Sequence, residues 1–323
     1  FSAVASLLVL FAGTNQAAPK TLRALYVGGG CCHDYETQKI LIAEGLEERA
    51  HIKVDVVVQG GSTTDTKIPL YENADWAKGY DVVIHHECFA AVKDLAFVER
   101  VLKPHREGLP AVVLHCAMHC YRTKTDDWFE FCGVTSHGHG KHYPHEVLKA
   151  DGAHPIMKGF PLGWWNPAGE LYHIAKFGPA SHALATSKNQ ESGKDEVTVW
   201  TNLYREKTRV FGSTLGHHNE TVGAPEFLDL LTRGTLWAAG RLDDESQLKP
   251  RKPKLIKADL AGGRSATASS VQSGNEIKNA FDGDSRTRWC ASNSSYPQRL
   301  QVDLGEPKDV AGVSIQWEVS GAQ

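Results

Sequence analysis

Leu22–Asp34 reads LRALYVGGGCCHD, a short apolar run that stops at three glycines and then delivers two cysteines, a histidine and an aspartate. Residues Thr37–Arg49 follow with Ile40, Leu41 and Leu46 at helical spacing, so the segment reads as strand, loop, helix. The same grammar recurs outward from it. Lys53–Val58 (KVDVVV), Tyr80–His85 (YDVVIH) and Pro110–His115 (PAVVLH) are β-rich runs, and Leu95, Val98 and Leu102 mark a helix before the last of them. Strands alternating with helices predict an α/β domain of βαβ units, a mainly parallel sheet covered on both faces. Val197–Thr201 and Arg209–Thr214 read as a late hairpin pair, and a final helix spans about Pro225–Ala239, with proline in its first turn and Gly240 at its end. That places the domain at residues 20–241. Residues 242–259, charged and containing two prolines, read as a linker. Residues 260–323 change to short strands and polar turns, the texture of a β-sandwich, but are too few for a whole one, which predicts a truncated module.

The chain has 323 residues, 41% of them hydrophobic and 23% charged, which excludes disordered, collagen-like and coiled-coil classes. A net charge of -3 without a basic stripe argues against a nucleic-acid partner. Phe1–Ala12 (FSAVASLLVLFA) followed by Ala17–Ala18 has the form of a secretory signal over residues 1–18, its basic start clipped. The run is about half of the 20 or so residues that a membrane span needs, and no later run is longer. The expected location is therefore secreted or periplasmic, where Cys31, Cys32, Cys116, Cys120 and Cys132 could form disulfides. Direct pairing of the neighbours Cys31 and Cys32 is expected to be too strained.

In open α/β sheets ligands gather at the carboxyl ends of the strands, and here those ends are rich in histidine. The first strand leads into Gly28-Gly29-Gly30-Cys31-Cys32-His33, the third into His85-His86-Glu87, the fourth into His115-Cys116-Ala117-Met118-His119, and the late pair into Gly216-His217-His218. The triple glycine lacks the G-x-G-x-x-G spacing, so no nucleotide cofactor is expected, and Gly29 and Gly30 read instead as places where a substrate comes close to backbone. A metal reading takes His33, His115 and His217 as ligands of a zinc-like divalent ion, with Glu87 or Glu170 as carboxylate ligand or base. Without an ion the same groups suit acid–base work near neutral pH; the plainer reading of each is a polar residue bonding loop backbone. Cys116 at a strand-to-helix elbow, with His218 and Glu220, would make an amidohydrolase-type triad, although the glycines that flank such an elbow are missing. The tract His137-Gly-His139-Gly-Lys-His142-Tyr-Pro-His145 reads as a glycine-rich lid loop contributing one residue, His137. His119 and His218 complete the expected substrate contacts, and Trp164–Trp165 with Asn166 offers either a sugar-stacking platform or core packing.

The stretches LRALYVGGGCCHDY, YDVVIHHE, PAVVLHCAMH, AHPIMKGFP with GELYHI, and VTVWTNLYREKTRVFGSTLGHHNET with the later RGTLWAAGR resemble the ThuA-like (trehalose utilisation) family over about residues 20–241. The resemblance implies a flavodoxin-like, doubly wound α/β domain related to class I glutamine amidotransferases, usually without their cysteine. It implies polar site positions at His33, His115, Glu170 and His217, and a role in catabolism of disaccharides or keto-sugars. The segments SATASS, NAFDGDSRTRWCAS and PQRLQVDLG resemble the N-terminal part of an F5/8 type C (discoidin) domain over 260–323. That resemblance implies glycan binding and a calcium ion near Asp282, Asp284 and Thr287, a turn that reads more plainly as an Asx turn. The expectation is an exported protein acting on sugars or keto-sugars by His/Glu acid–base or metal-assisted chemistry, with a carbohydrate-binding module. The alternatives are a non-catalytic glycan-binding scaffold and the Cys116-dependent amidohydrolase.

Overall fold

The computed structural model describes residues 19–167, 169–243, 245–249, 260–284 and 286–306. The chain divides into two units, 1–250 and 251–323. The expected signal at 1–18 and residues 244 and 250–259 of the expected linker lie outside the described residues.

The decisive segment folds as read. β1 (Leu22–Gly30) leads through Asp34 into α1 (Tyr35–Arg49), and the Asp34 side chain accepts the Thr37 amide as an N-cap. β2 (Ile52–Val58), β3 (Val82–Cys88), α2 (Leu95–Arg106) and β4 (Ala111–Leu114) follow. After the short α3 (Asp127–Cys132) and an antiparallel excursion the chain returns in β11 (Thr208–Ser213), parallel to β4, and closes with α4 (Asn219–Val222) and α5 (Pro225–Ala238). The five parallel strands run in the order β2-β1-β3-β4-β11, the flavodoxin-like winding with its switch point between β1 and β3. Alternation along each strand feeds two separate cores. Ala24, Tyr26, Ile84, Val112 and Phe211 pack under α1 and α5, while Leu25, Val27, Val83, Val113 and Val210 pack under α2 with Trp128 and Phe131. With both faces covered the strands are apolar throughout, which is why they stood out in the sequence.

The excursion is where sequence and structure part. β6 (His145–Lys149), β7 (Gly163–Asn166), β9 (Ser181–Lys188) and β10 (Asp195–Tyr204) extend the sheet past β11 in the order β10-β9-β6-β7, all antiparallel, so only one half is parallel. β5 (Val134–His142) and β8 (Glu170–Phe177) form a second, two-stranded antiparallel sheet, so the expected lid loop is a strand. The domain also runs past residue 241. Leu242 is buried, and Gln247 and Lys249 hydrogen-bond to the backbone of His51 and Arg49.

In the second unit β12 (Ala266–Ala268) pairs antiparallel with β13 (Leu300–Val302). The 282–287 turn is held by its own side chains. Thr287 donates to Asp282 Oδ2 (2.7 Å), the Asp284 amide to Asp282 Oδ1 (2.9 Å), and Arg286 pairs with Asp284 (2.8 Å). Asp282, Asp284 and Thr287 thus converge in one Asx turn.

Candidate histidine–carboxylate centre

Three strand ends bring imidazoles to one point. His33 follows β1, His115 follows β4, and His217 follows β11. His33 Nε2 lies 3.1 Å from His217 Nδ1, and His115 Nε2 lies 3.3 Å from that same nitrogen. Glu170, the first residue of β8, inserts its carboxylate among them, with Oε2 3.3 Å from His115 and Oε1 3.2 Å from His217. All four residues expected from the sequence as catalytic thus form one cluster, and their ligand atoms lie within 4.8 Å of one another.

The hydrogen-bond network assigns the protons. His115 Nδ1 faces the Thr214 carbonyl at 2.6 Å, and His33 Nδ1 faces the Cys31 carbonyl at 3.2 Å, with the Tyr35 hydroxyl also at 3.2 Å. A carbonyl oxygen only accepts, so each Nδ1 carries the proton and each Nε2 presents a bare lone pair inward. Both lone pairs meet His217 Nδ1 and a carboxylate, and one proton on His217 satisfies a single acceptor at a time. A divalent cation would satisfy all of them. A tetrahedral ion with ligand bonds of about 2.0–2.1 Å has ligand–ligand edges of about 3.3–3.4 Å, close to the observed 3.1–3.3 Å. Imidazoles fixed through Nδ1 by carbonyl oxygens are also the usual outer shell of a metal ligand.

Electrostatics agree. Burial, reinforced by His115, His86 and His217, pulls His33 down to about 2, and burial lowers His115 as well, so both rings are neutral. Burial alone would raise Glu170, yet the imidazoles of His115 and His217 against its two oxygens hold it well below the usual carboxylate range. His115 has φ +48°, a left-handed backbone for a non-glycine residue at the turn leaving β4. The elbow therefore presents an imidazole, whereas Cys116 beside it is buried and bonded to Cys88.

Other expected residues fall elsewhere. Glu87 points to the opposite face of β3, where it meets Tyr71 (2.9 Å), Tyr121 (3.3 Å) and His85 (2.9 Å). Strand alternation sends its neighbour His86 to the site's side, bonded to the Tyr26 hydroxyl at 2.9 Å. His137 also stays outside, its carbonyl taken by Arg122 and its ring against Phe129. In its place His139 and His142 reach Glu170 Oε1 at 3.3 and 3.0 Å. A regular strand would separate positions 139 and 142 onto opposite faces, but a register shift between them, one of three in β5, turns both toward Glu170. His119 forms a wall, stacked on Tyr172 at 4.1 Å and bonded to Ser136, and His218 stands 4.4 Å from His217 at the rim.

Gly29 and Gly30 serve backbone packing. A Cβ on either would lie 1.9 Å from the Gln59 carbonyl or 2.3 Å from that of Cys88, so neighbouring chain already fills the space expected for substrate. Cys31 and Cys32 are disulfide-bonded to each other, against expectation; the left-handed backbone at Gly29, Gly30 and Cys32 curls the loop enough to bring neighbouring sulfurs together. Trp164 packs on the core and Trp165 is exposed, so the tryptophan pair splits between the two readings. His139, His142 and His86 were the residues missed. The first two lay in plain view in the histidine tract, with no signal for the shifts that aim them.

Fold and site together define a flavodoxin-like α/β protein with a histidine–carboxylate centre at its strand ends. The chain belongs to the trehalose utilisation (ThuA) family, whose model matches residues 23–238, and residues 265–323 match the F5/8 type C domain. A thua-like protein from Parabacteroides merdae ATCC 43184 shares the fold at 22% identity, covering 73% of this chain and 94% of that one with a TM-score of 0.59. A second, from Bacteroides uniformis ATCC 8492, is 20% identical over 70% of this chain and 94% of its own, with a TM-score of 0.53. No curated protein matches. The two matched domains point to a carbohydrate-related role. Among the described residues no helix is long and apolar enough to cross a membrane.

Proposed function

We propose that this protein is an exported, metal-dependent enzyme of carbohydrate catabolism that acts on a sugar or keto-sugar, with its F5/8 type C segment as a glycan tether. The observation that carries the reading is the convergence of two carbonyl-locked imidazoles, His33 and His115, on His217 and Glu170. A divalent ion there supplies Lewis acidity toward a sugar carbonyl or a water molecule. Glu170 stays ionised and supplies the balancing negative charge. His119 and Tyr172 form a rigid stacked wall beside the ligands, and part-exposed His218 stands next to His217 to carry protons between substrate and solvent. With Cys116 paired to Cys88, no free thiol stands at the elbow, which disfavours the amidohydrolase alternative. Export is supported by the apolar start of the sequence and by the pairing of Cys31 with Cys32 and of Cys88 with Cys116, since disulfides persist outside the reducing cytosol.

The test is metal content of the untagged full chain by plasma mass spectrometry, with turnover of a panel of disaccharides and their keto forms. Stoichiometric zinc or a similar ion should be found, and both metal and turnover should fall in His33→Ala and His217→Ala. Metal-free protein whose turnover survives both substitutions would refute the reading.

A further inference from the structure

We propose that Glu170 bridges two divalent cations, the ion held by His33, His115 and His217 and a second held by His139 and His142 of β5. The proposal rests on the metal reading above and extends it to a two-ion centre. Glu170 Oε1 has three imidazole nitrogens around it, those of His142 at 3.0 Å, His217 at 3.2 Å and His139 at 3.3 Å, while Oε2 faces His115. His139 repeats the arrangement of the buried pair. Its Nδ1–H donates to the Gly140 carbonyl at 2.8 Å, which leaves a bare Nε2 lone pair aimed at a carboxylate oxygen. Two lone pairs facing each other repel unless a cation lies between them.

One ion does not account for all the ligands. His33, His115, His217 and Glu170 already supply four donors to one ion, and adding His139 and His142 would fill all six positions even of an octahedral one and leave none for a substrate. The ligand atoms of His139, His142 and Glu170 form their own group within 4.8 Å, and His142 forms another with His217 and His218, which makes His218 available as a further ligand. The register shifts of β5 give up strand pairing, and turning His139 and His142 toward one carboxylate is what they achieve. The second position is the outer one, since the His139 and His142 side chains are 32% and 46% exposed against 1% for His115. It should therefore bind more weakly and fill last. Imidazole and carboxylate donors suit zinc, manganese, cobalt or iron, and a pair of such ions chelates vicinal oxygens of a sugar and holds attacking and leaving oxygens together.

The experiment loads the untagged full chain with Zn²⁺ or Mn²⁺ by equilibrium dialysis and counts bound metal. The expected result is two equivalents in the wild type and one in the His139→Gln/His142→Gln protein. Electron paramagnetic resonance of the Mn²⁺ form should change from an exchange-coupled spectrum to isolated six-line signals. One equivalent in the wild type, uncoupled manganese at two equivalents, or two equivalents persisting in the double variant overturns the bridge and leaves the buried site standing; no bound metal overturns both. If the double variant does not fold, the wild-type count and spectrum decide.

Discussion

Acid should destabilise this protein well before its carboxylates titrate. His86, His105 and His119 are 1%, 0% and 6% exposed, and each is pulled down to about 3, with burial the largest cause. In the unfolded chain each titrates near 6.5. Below that pH the unfolded state takes up protons that the native state refuses, so stability is whole above pH 6.5 and falls as pH drops toward 3. At pH 5 each ring costs about 2 kcal/mol and the three about 6 kcal/mol, a large share of the roughly 5–15 kcal/mol of a typical domain. Unfolded carboxylates, with pKa values near 4, add little above pH 5. The assay is urea unfolding in EDTA at pH 7.5 and pH 5.0, for the wild type and for His105→Gln. His105 is chosen because it lies away from the metal cluster, bonded to His85 (3.0 Å) and to the Leu109 carbonyl (2.8 Å). The variant should lose about 2 kcal/mol less than the wild type over that interval. A wild-type loss under about 1 kcal/mol, or equal losses in the two proteins, would refute the reasoning.

Two further outcomes probe the loop after β1. Gly29→Ala combines a left-handed φ of +136° with a Cβ 1.9 Å from a carbonyl oxygen, so urea unfolding should register a loss of about 3 kcal/mol or more, or no folded protein. A stability within about 0.5 kcal/mol of wild type would contradict the packing described. Tyr35→Phe removes one of two groups at His33 Nδ1 and should weaken Zn²⁺ binding about tenfold in a chelator competition while sparing the fold, because the Cys31 carbonyl still fixes the tautomer. Unchanged affinity would remove Tyr35 from the metal's outer shell.

The parallel half of the sheet was legible because burial on both faces makes each strand a near-continuous apolar run, as in YDVVIH before His86, and because Asp34, Pro225 and Gly240 punctuate helices in the ordinary way. The antiparallel half was not. β5, β6 and β7 are short or polar and carry Gly138, Gly140 and exposed Trp165, so nothing in VTSHGHGKH separates a bulged strand from a loop. The four convergent site residues could be identified because three follow strands of the legible half and the metal reading left the carboxylate between Glu87 and Glu170, of which the family resemblance pointed to Glu170.

His137 and Glu87 went wrong for a common reason: a residue's place in sequence names its strand, while the face it serves depends on register. Glu87 sits one residue from His86, and one residue is a whole change of face. His137 lies within the second register shift of β5, between Ser136 and His139, and a third separates His139 from His142, so the shifts select which imidazoles meet Glu170. Restoring regular pairing by deleting two residues, Gly138 and Gly140, one from each shift between Ser136 and His142, would therefore redistribute these rings while leaving every histidine of the tract in place. Any part of the centre that depends on β5 is set by that local geometry, whereas His33, His115 and His217 are set by strand order alone.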